Sequence, residues 1–258
     1  MSARGPIVLL TDFGTVDGYT AEMKGVLETL CPGVGIVDAS HDIPRGNVEA
    51  GARALERYWR RFPPRTIYLC VIDPSVGTAR RPLVVESAGR FAVGPDNGVL
   101  APMIRASGSV REIRTEIAAA EISATFHGRD LFAPAAAYLA SGGVVADLGP
   151  TVPDSVVPEA VAPVFVGPGQ ARGAVIAVDR FGNLQTNLPK AWLEGAYAVE
   201  VGRHRLPVAR TYGDVGPGEG LALIGSNGYV EIAVRDRSAA EVLDAAEGRT
   251  VTLVPAAS

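Results

Sequence analysis

Three short apolar runs, IVLL at residues 7–10, Ile36-Val37-Asp38, and residues 67–72, alternate with stretches whose apolar residues recur at helical spacing. That alternation constrains the fold more than any other feature of the chain. Between the first two runs, Tyr19, Met23, Val26, Leu27 and Leu30 fall on one face of a 3.6-residue period, and Val48, Ala52 and Leu55 do so between the second and third. A βαβαβ order of this kind predicts a largely parallel sheet with helices on its faces, because parallel neighbours need a long crossover connection. Further strands are predicted at Val84-Val85-Glu86 and Phe91-Ala92-Val93, a short helix opening at Asn97-Gly98, and an Ala-rich helix over residues 131–139.

The pattern then changes. Residues 151–170, TVPDSVVPEAVAPVFVGPGQ, carry four prolines and no period, and read as a linker. Beyond them AVIAVD and AYAVEVGRHRLPVAR read as strands and a hairpin, while Asn227-Gly228 between two apolar runs is a strong hairpin signal. A helical pattern over residues 239–246 precedes a last strand at 251–254. The expectation is an N-terminal α/β domain over residues 1–150, a linker over 151–170, and a smaller β-barrel-like or sandwich domain over 171–258.

At 258 residues, 47% hydrophobic and 20% charged, the chain can bury a core in each part, and disorder is not expected. A net charge of −4 with scattered cations gives no footprint for nucleic acid. The apolar run at 7–10 is too short for a signal-peptide core or a membrane span, so no membrane association is expected and the cytoplasm is the default setting. Cys31 and Cys70 sit among apolar residues and read as buried free thiols. The three histidines, His41, His127 and His204, fall in no close His/Cys pairing of the kind metal sites use, so a metal enzyme is disfavoured; no cofactor is expected.

In open parallel sheets, ligands bind beyond the carboxyl ends of the strands. The polar residues there form clusters. TDFGTVDGY follows the first run: Asp12 stands at the strand tip, where a carboxylate can take both hydroxyls of a ribose, and Asp17 reads as the N-cap of the next helix. VIDPSVGTARR follows the third, with Asp73, then Arg80 and Arg81 seven and eight residues on. It is either a turn opened by Asp-Pro or a site, and either arginine can serve. TFHGRD sets His127 before a helix, as a packed histidine or a catalytic one, while His41 in ASHDIP reads as structural. In VDRFGNLQTN, Asp179 and Asn183 share a turn. Asn183 offers the paired donor and acceptor that read an adenine amino edge, and Ser226 opens the GSNGYVEIAV hairpin.

Together and in this order, LTDFGTVDGY, VIDPSVGTARR, GPDNG, FHGRD, VDRFGN and GSNGYVEIAV resemble the S-adenosylmethionine hydroxide adenosyltransferases, relatives of the fluorinase and chlorinase. The resemblance implies a homotrimer with each active site between the N-terminal domain of one subunit and the C-terminal domain of its neighbour. It implies Asp12 as the ribose-diol ligand, Asn183 as the adenine reader with main chain near Val234 and Glu231 along the adenine edge, and Asp179 and Ser226 on the methionine amine and carboxylate. Asp73, Arg80 and His127 resemble the family's water-activating trio. Where the fluorinase has a serine, this chain has Gly128, as the chlorinase does; where both halogenases have a tyrosine, it has Asp73. The chain also lacks the loop that the fluorinase inserts after the segment matching VVESAGRF. The implied reaction is hydrolysis of S-adenosyl-L-methionine to adenosine and L-methionine by attack of activated water at C5′. A chlorinase-like halide-dependent adenosyl transferase and a non-catalytic adenosine or S-adenosylmethionine binding protein are the alternatives.

Overall fold

The computed structural model describes residues 5–106, 108–159, 162–167, 170–193 and 198–254. The chain divides into two compact units, Met1–Pro158 and Glu159–Ser258.

In the first unit the apolar runs become β1 (Ile7–Thr11), β2 (Ile36–Ser40) and β3 (Ile67–Val71), joined by α1 (Tyr19–Leu30) and α2 (Val48–Tyr58). β4 (Pro82–Ser87), β5 (Arg90–Pro95), α3 (Ala101–Arg105), β6 (Ser109–Glu112) and α4 (Ala133–Ala140) follow. The sheet order is β2-β1-β3-β5-β4-β6, with β2, β1, β3 and β5 parallel and β4 antiparallel to both neighbours. The period of two explains why the runs are apolar throughout. Ile7, Leu9, Leu69 and Val71 pack with α1 and α4 on one face, and Val8, Leu10, Tyr68 and Cys70 pack with α2 and α3 on the other.

Asp17 does not cap α1. The N-cap is Gly18 in a left-handed conformation, with no side-chain cap bond, and Asp17 stays exposed. Cys31 and Cys70 are buried free thiols.

Residues 151–158 lie along the first unit. Thr151 bridges Arg111, Asp154 pairs with Arg81 at 2.7 Å, and the Val156 N–H donates to Asp96 Oδ1 at 2.7 Å. The prolines prevent regular structure there, and these side chains satisfy the backbone instead. Ala160, Val161, Pro168 and Gly169, from the stretch read as a linker, and Ala196 and Tyr197, from the hairpin reading, lie outside the described residues.

The second unit is a nearly closed antiparallel barrel. Its strands are β7 (Val164–Gly167), β8 (Gln170–Val178), β9 (Leu184–Pro189), β10 (Ala198–Val201), β11 (His204–Pro207), β12 (Gly220–Ile224), β13 (Tyr229–Val234) and β14 (Thr250–Val254). The order is β11-β10-β14-β8-β9-β13-β12, with β7 added to β8, and a bridge from Val208 to Ala222 draws the two ends together. The expected helix over 239–246 is shorter, α5 (Ala239–Val242), because Asp244 takes a positive φ and ends it. No helix among the described residues is long and apolar enough to cross a membrane.

Candidate active site

Three parallel strands deliver three polar residues to one sheet edge. Thr11 pairs with Val71 and Leu10 with Ser40, so Asp12, Asp73 and His41 leave the carboxyl ends of β1, β3 and β2 side by side. Asp12 is half-buried, and its Oδ2 accepts the Gly46 N–H at 2.7 Å.

Asp73 and Arg80 close the loop after β3 on themselves. Arg80 Nε donates to both carboxylate oxygens, at 3.1 and 2.9 Å, and Nη2 adds a second bond to Oδ2. The two side chains are 5% and 7% exposed, so this is a buried ion pair. Arg80 Nη2 also lies 2.7 Å from His127 Nδ1. A guanidinium nitrogen can only donate, so Nδ1 must accept, and the neutral imidazole carries its proton on Nε2. Burial pushes the His127 pKa below its ordinary value; the Arg80 cation pushes the same way, and Asp73 and Asp130 oppose it.

The choice between arginines is decided by geometry. Arg81 turns the other way, with Nε 2.9 Å from Asp96 Oδ2 and Nη1 2.7 Å from Asp154 Oδ1. Asn97, next to Asp96 in GPDNG, donates through Nδ2 to the Ile72 carbonyl at 2.8 Å and fixes the residue before Asp73.

His127 begins a π-helical turn, Gly128–Phe132, that runs into α4. The turn is tied to α1 through Arg129, which bonds Asp130 at 2.6 and 2.9 Å and Glu22 at 2.6 Å. Asp130 Oδ2 in turn accepts the Ser123 N–H. Gly128 is closely packed: a Cβ there would stand 3.3 Å from Met23, Phe126 and Val71 atoms, so a side chain would displace these neighbours by a few tenths of an ångström.

The two loops meet at Gly77, whose φ is +79° and where a Cβ would come 2.7 Å from the Ala124 carbonyl oxygen. Gly77→Ala is therefore expected to lower stability by about 1–3 kcal/mol and to spread Arg80 from His127. Denaturant unfolding with turnover measured alongside checks both; unchanged values would mean the loop relaxes freely.

In the second unit, Asp179 organises the β8–β9 turn. Its Oδ1 accepts the Phe181 and Asn183 N–H groups at 2.9 Å each, and its Oδ2 lies 3.3 Å from Asn183 Nδ2. Asn183 is buried, and its amide carries Oδ1 and a second Nδ2 hydrogen beyond the contact with Asp179. Because β9 and β13 are antiparallel and Leu184 pairs with Ile232, Asn183 lies at the Val234 end of β13. The Val234 carbonyl already accepts the Arg237 N–H. Ser226, exposed in the β12–β13 turn, lies at the other end of the same strand. Glu231 sits between them, buried and hydrogen-bonded to the Tyr212 hydroxyl at 2.5 Å.

The structure thus groups Asp73, Arg80 and His127 with Asp12 on one sheet edge, and Asp179, Asn183 and Val234 at one end of the barrel, with Ser226 at the opposite end. Sequence reading gave no part in the site to Asn97, Arg129 or Asp130, although all three lie inside motifs already quoted. Arg129 and Asp130 were signalled by adjacency to His127, whereas Asn97 reaches the residue before Asp73 only through the fold. Among the described residues no cluster of His, Cys, Asp and Glu could hold a metal ion.

Comparisons with known proteins identify the family. The SAM hydroxide adenosyltransferase N-terminal domain matches residues 7–149 and its C-terminal domain residues 173–252. An (R)-S-adenosyl-L-methionine hydrolase of Thermus thermophilus is 41% identical over 96% of this chain and 99% of its own length. A fluorinase of Actinoplanes sp. is 30% identical over 99% of this chain and 100% of its own. The crystal structure of an uncharacterized conserved protein from Thermotoga maritima superposes with a TM-score of 0.90 at 35% identity, covering 96% of this chain and 99% of that one.

Proposed function

The chain belongs to the SAM hydroxide adenosyltransferase family, and from that premise we propose that it hydrolyses S-adenosyl-L-methionine to adenosine and L-methionine. The observation that carries the reading is the buried Asp73–Arg80 pair with His127 on its end, at the sheet edge that also bears Asp12.

Water attacks C5′ in line with the C5′–S bond. A C–O bond forms, the C–S electron pair returns to sulfur, and the sulfonium leaves as the neutral thioether of methionine. Such a leaving group needs no general acid. The difficulty is the nucleophile, since bulk water has a pKa of about 15.7. The attacking oxygen loses one proton to solvent, and the site must favour hydroxide character while it does so.

Arg80 and His127 supply donors for that oxygen. Among the described residues nothing accepts a hydrogen bond from Arg80 Nη1 or from His127 Nε2. Nη2 is occupied by Asp73 and His127. Asp73 holds the guanidinium, the guanidinium fixes the imidazole tautomer, and both point charge-stabilising N–H groups at developing hydroxide. His127 therefore donates to the oxygen rather than removing its proton. Asp12 holds the ribose diol, and Asn183, Glu231 and main chain at Val234 meet the adenine. The resemblance alone assigns Asp179 and Ser226 to the methionine amine and carboxylate.

From the resemblance we infer a homotrimer as the working assembly, with the N-terminal unit of one subunit and the C-terminal unit of its neighbour lining each site. Its two free buried thiols suit a reducing compartment, and we assign it to the cytoplasm. Incubation with S-adenosyl-L-methionine, with and without chloride or fluoride, should release adenosine and methionine in equal amounts at a halide-independent rate. Formation of a 5′-halo-5′-deoxyadenosine would support a halide-using transferase, and recovery of intact ligand a binding protein.

A further inference from the structure

We propose that His41 is a positioning residue for Asp12, setting the carboxylate that receives the ribose hydroxyls. The inference rests on the reading of Asp12 as the ribose ligand.

Asp12 stands between two residues that His41 holds. Thr11, fully buried, places Oγ1 2.8 Å from His41 Nδ1, and the same oxygen accepts the Phe13 N–H at 3.3 Å. The Gly14 N–H donates to the His41 carbonyl at 2.8 Å. The turn after β1 is therefore pinned at residues 11, 13 and 14, and Gly46 pins the Asp12 carboxylate itself at Oδ2. Oδ1 remains to meet a ligand.

His41 is fixed from behind. Its side chain is 5% exposed, and Nε2 lies 3.1 Å from Asp38 Oδ1, at ion-pair distance though off the hydrogen-bond axis. Asp38 is held by Lys24 Nζ at 2.6 Å. The arrangement suits one tautomer, with Nδ1 accepting from the Thr11 hydroxyl and the Nε2 proton turned toward the Asp38 carboxylate. A buried hydroxyl without this partner would be costly and free to turn, and the backbone at Asp12 would lose one of its three ties. Phe13 extends the effect: its ring lies 5.8 Å from that of Phe126, the neighbour of His127, so the same clamp relates the ribose ligand to the water-holding pair.

The test compares binding of adenosine, 2′-deoxyadenosine and 3′-deoxyadenosine by calorimetry. In the native chain, loss of a hydroxyl bonded to a carboxylate should weaken binding roughly ten- to a hundredfold. Thr11→Val, which exchanges a hydroxyl for a methyl, and His41→Leu should bring adenosine to within about threefold of the deoxy analogues, which keep their native affinities; Thr11→Ser should restore the difference. Native discrimination in Thr11→Val, or equal weakening of all three ligands, overturns the proposal. Asp12→Ala separates the two readings: if it still discriminates, the ribose assignment is at fault and the positioning role falls with it.

Discussion

Arg80→Met is expected to lower turnover roughly 10²- to 10³-fold while adenosine affinity stays within about threefold of native, by analogy with removal of one fixed donor from a site of developing negative charge. The guanidinium is charged at every working pH and, of the reactants, is proposed to meet only the attacking oxygen, so its loss should raise the barrier without loosening the nucleoside. The same substitution strands Asp73, 5% exposed, without its cation. A buried charge left unpaired typically costs about 3–5 kcal/mol, so the unfolding midpoint should fall as well. The double variant Arg80→Met, Asp73→Leu separates the effects. Replacing a whole buried ion pair by apolar groups is often neutral, so stability should recover while turnover does not. Recovered turnover would show that the single variant failed by misfolding and that the guanidinium has no part in the chemistry.

Substitutions at His127 distinguish a donor from a base. A glutamine amide nitrogen reaches the place of Nε2, whereas asparagine reaches only that of Nδ1. If Nε2–H donates to the water, His127→Gln should retain activity within about tenfold of native, and His127→Asn and His127→Ala should lose roughly 10²-fold or more. A general base would make all three equally poor, because neither amide takes up a proton. The pH profile carries the same information. Protonation of Nδ1 would set its N–H against the Arg80 N–H, so activity requires neutral His127. Because its pKa is lowered from 6.5, the neutral form persists to lower pH, and the acid limb of kcat/KM should lie below 6.5. In Arg80→Met the limb should rise, since the cation that lowers the pKa is removed while Asp73 and Asp130, which raise it, remain. A limb above 6.5 in the native protein would rule out the arrangement.

The architecture of both units was legible because burial imposes a period on the sequence. β1, β2 and β3 are written in three apolar runs, α1 and α2 in helical repeats, and the β12–β13 hairpin in Asn227-Gly228. The residues after β1 and β3 could be nominated because parallel sheets open at their carboxyl ends. What failed was local and polar. Asp17 carries the chemistry of a cap, but Gly18 takes that position. The 239–246 pattern stops at Val242, and nothing in the periodicity of 128–132 announces a π turn. Such details depend on which backbone groups find partners from elsewhere in the chain, and propensity carries no record of that.

Sequence alone determined the βαβαβ half, the all-β half, and the residue types at each strand exit, because side-chain alternation and helical period are local consequences of burying apolar surface. Only the tertiary structure decided that Arg80 and not Arg81 meets Asp73 and His127, that His127 holds its proton on Nε2, and that His41 braces the Asp12 turn. Those outcomes depend on distances of about 3 Å between residues up to 47 positions apart. Hydrogen bonds and ion pairs act only over such short ranges, and folding, not composition or spacing, sets which groups come within them.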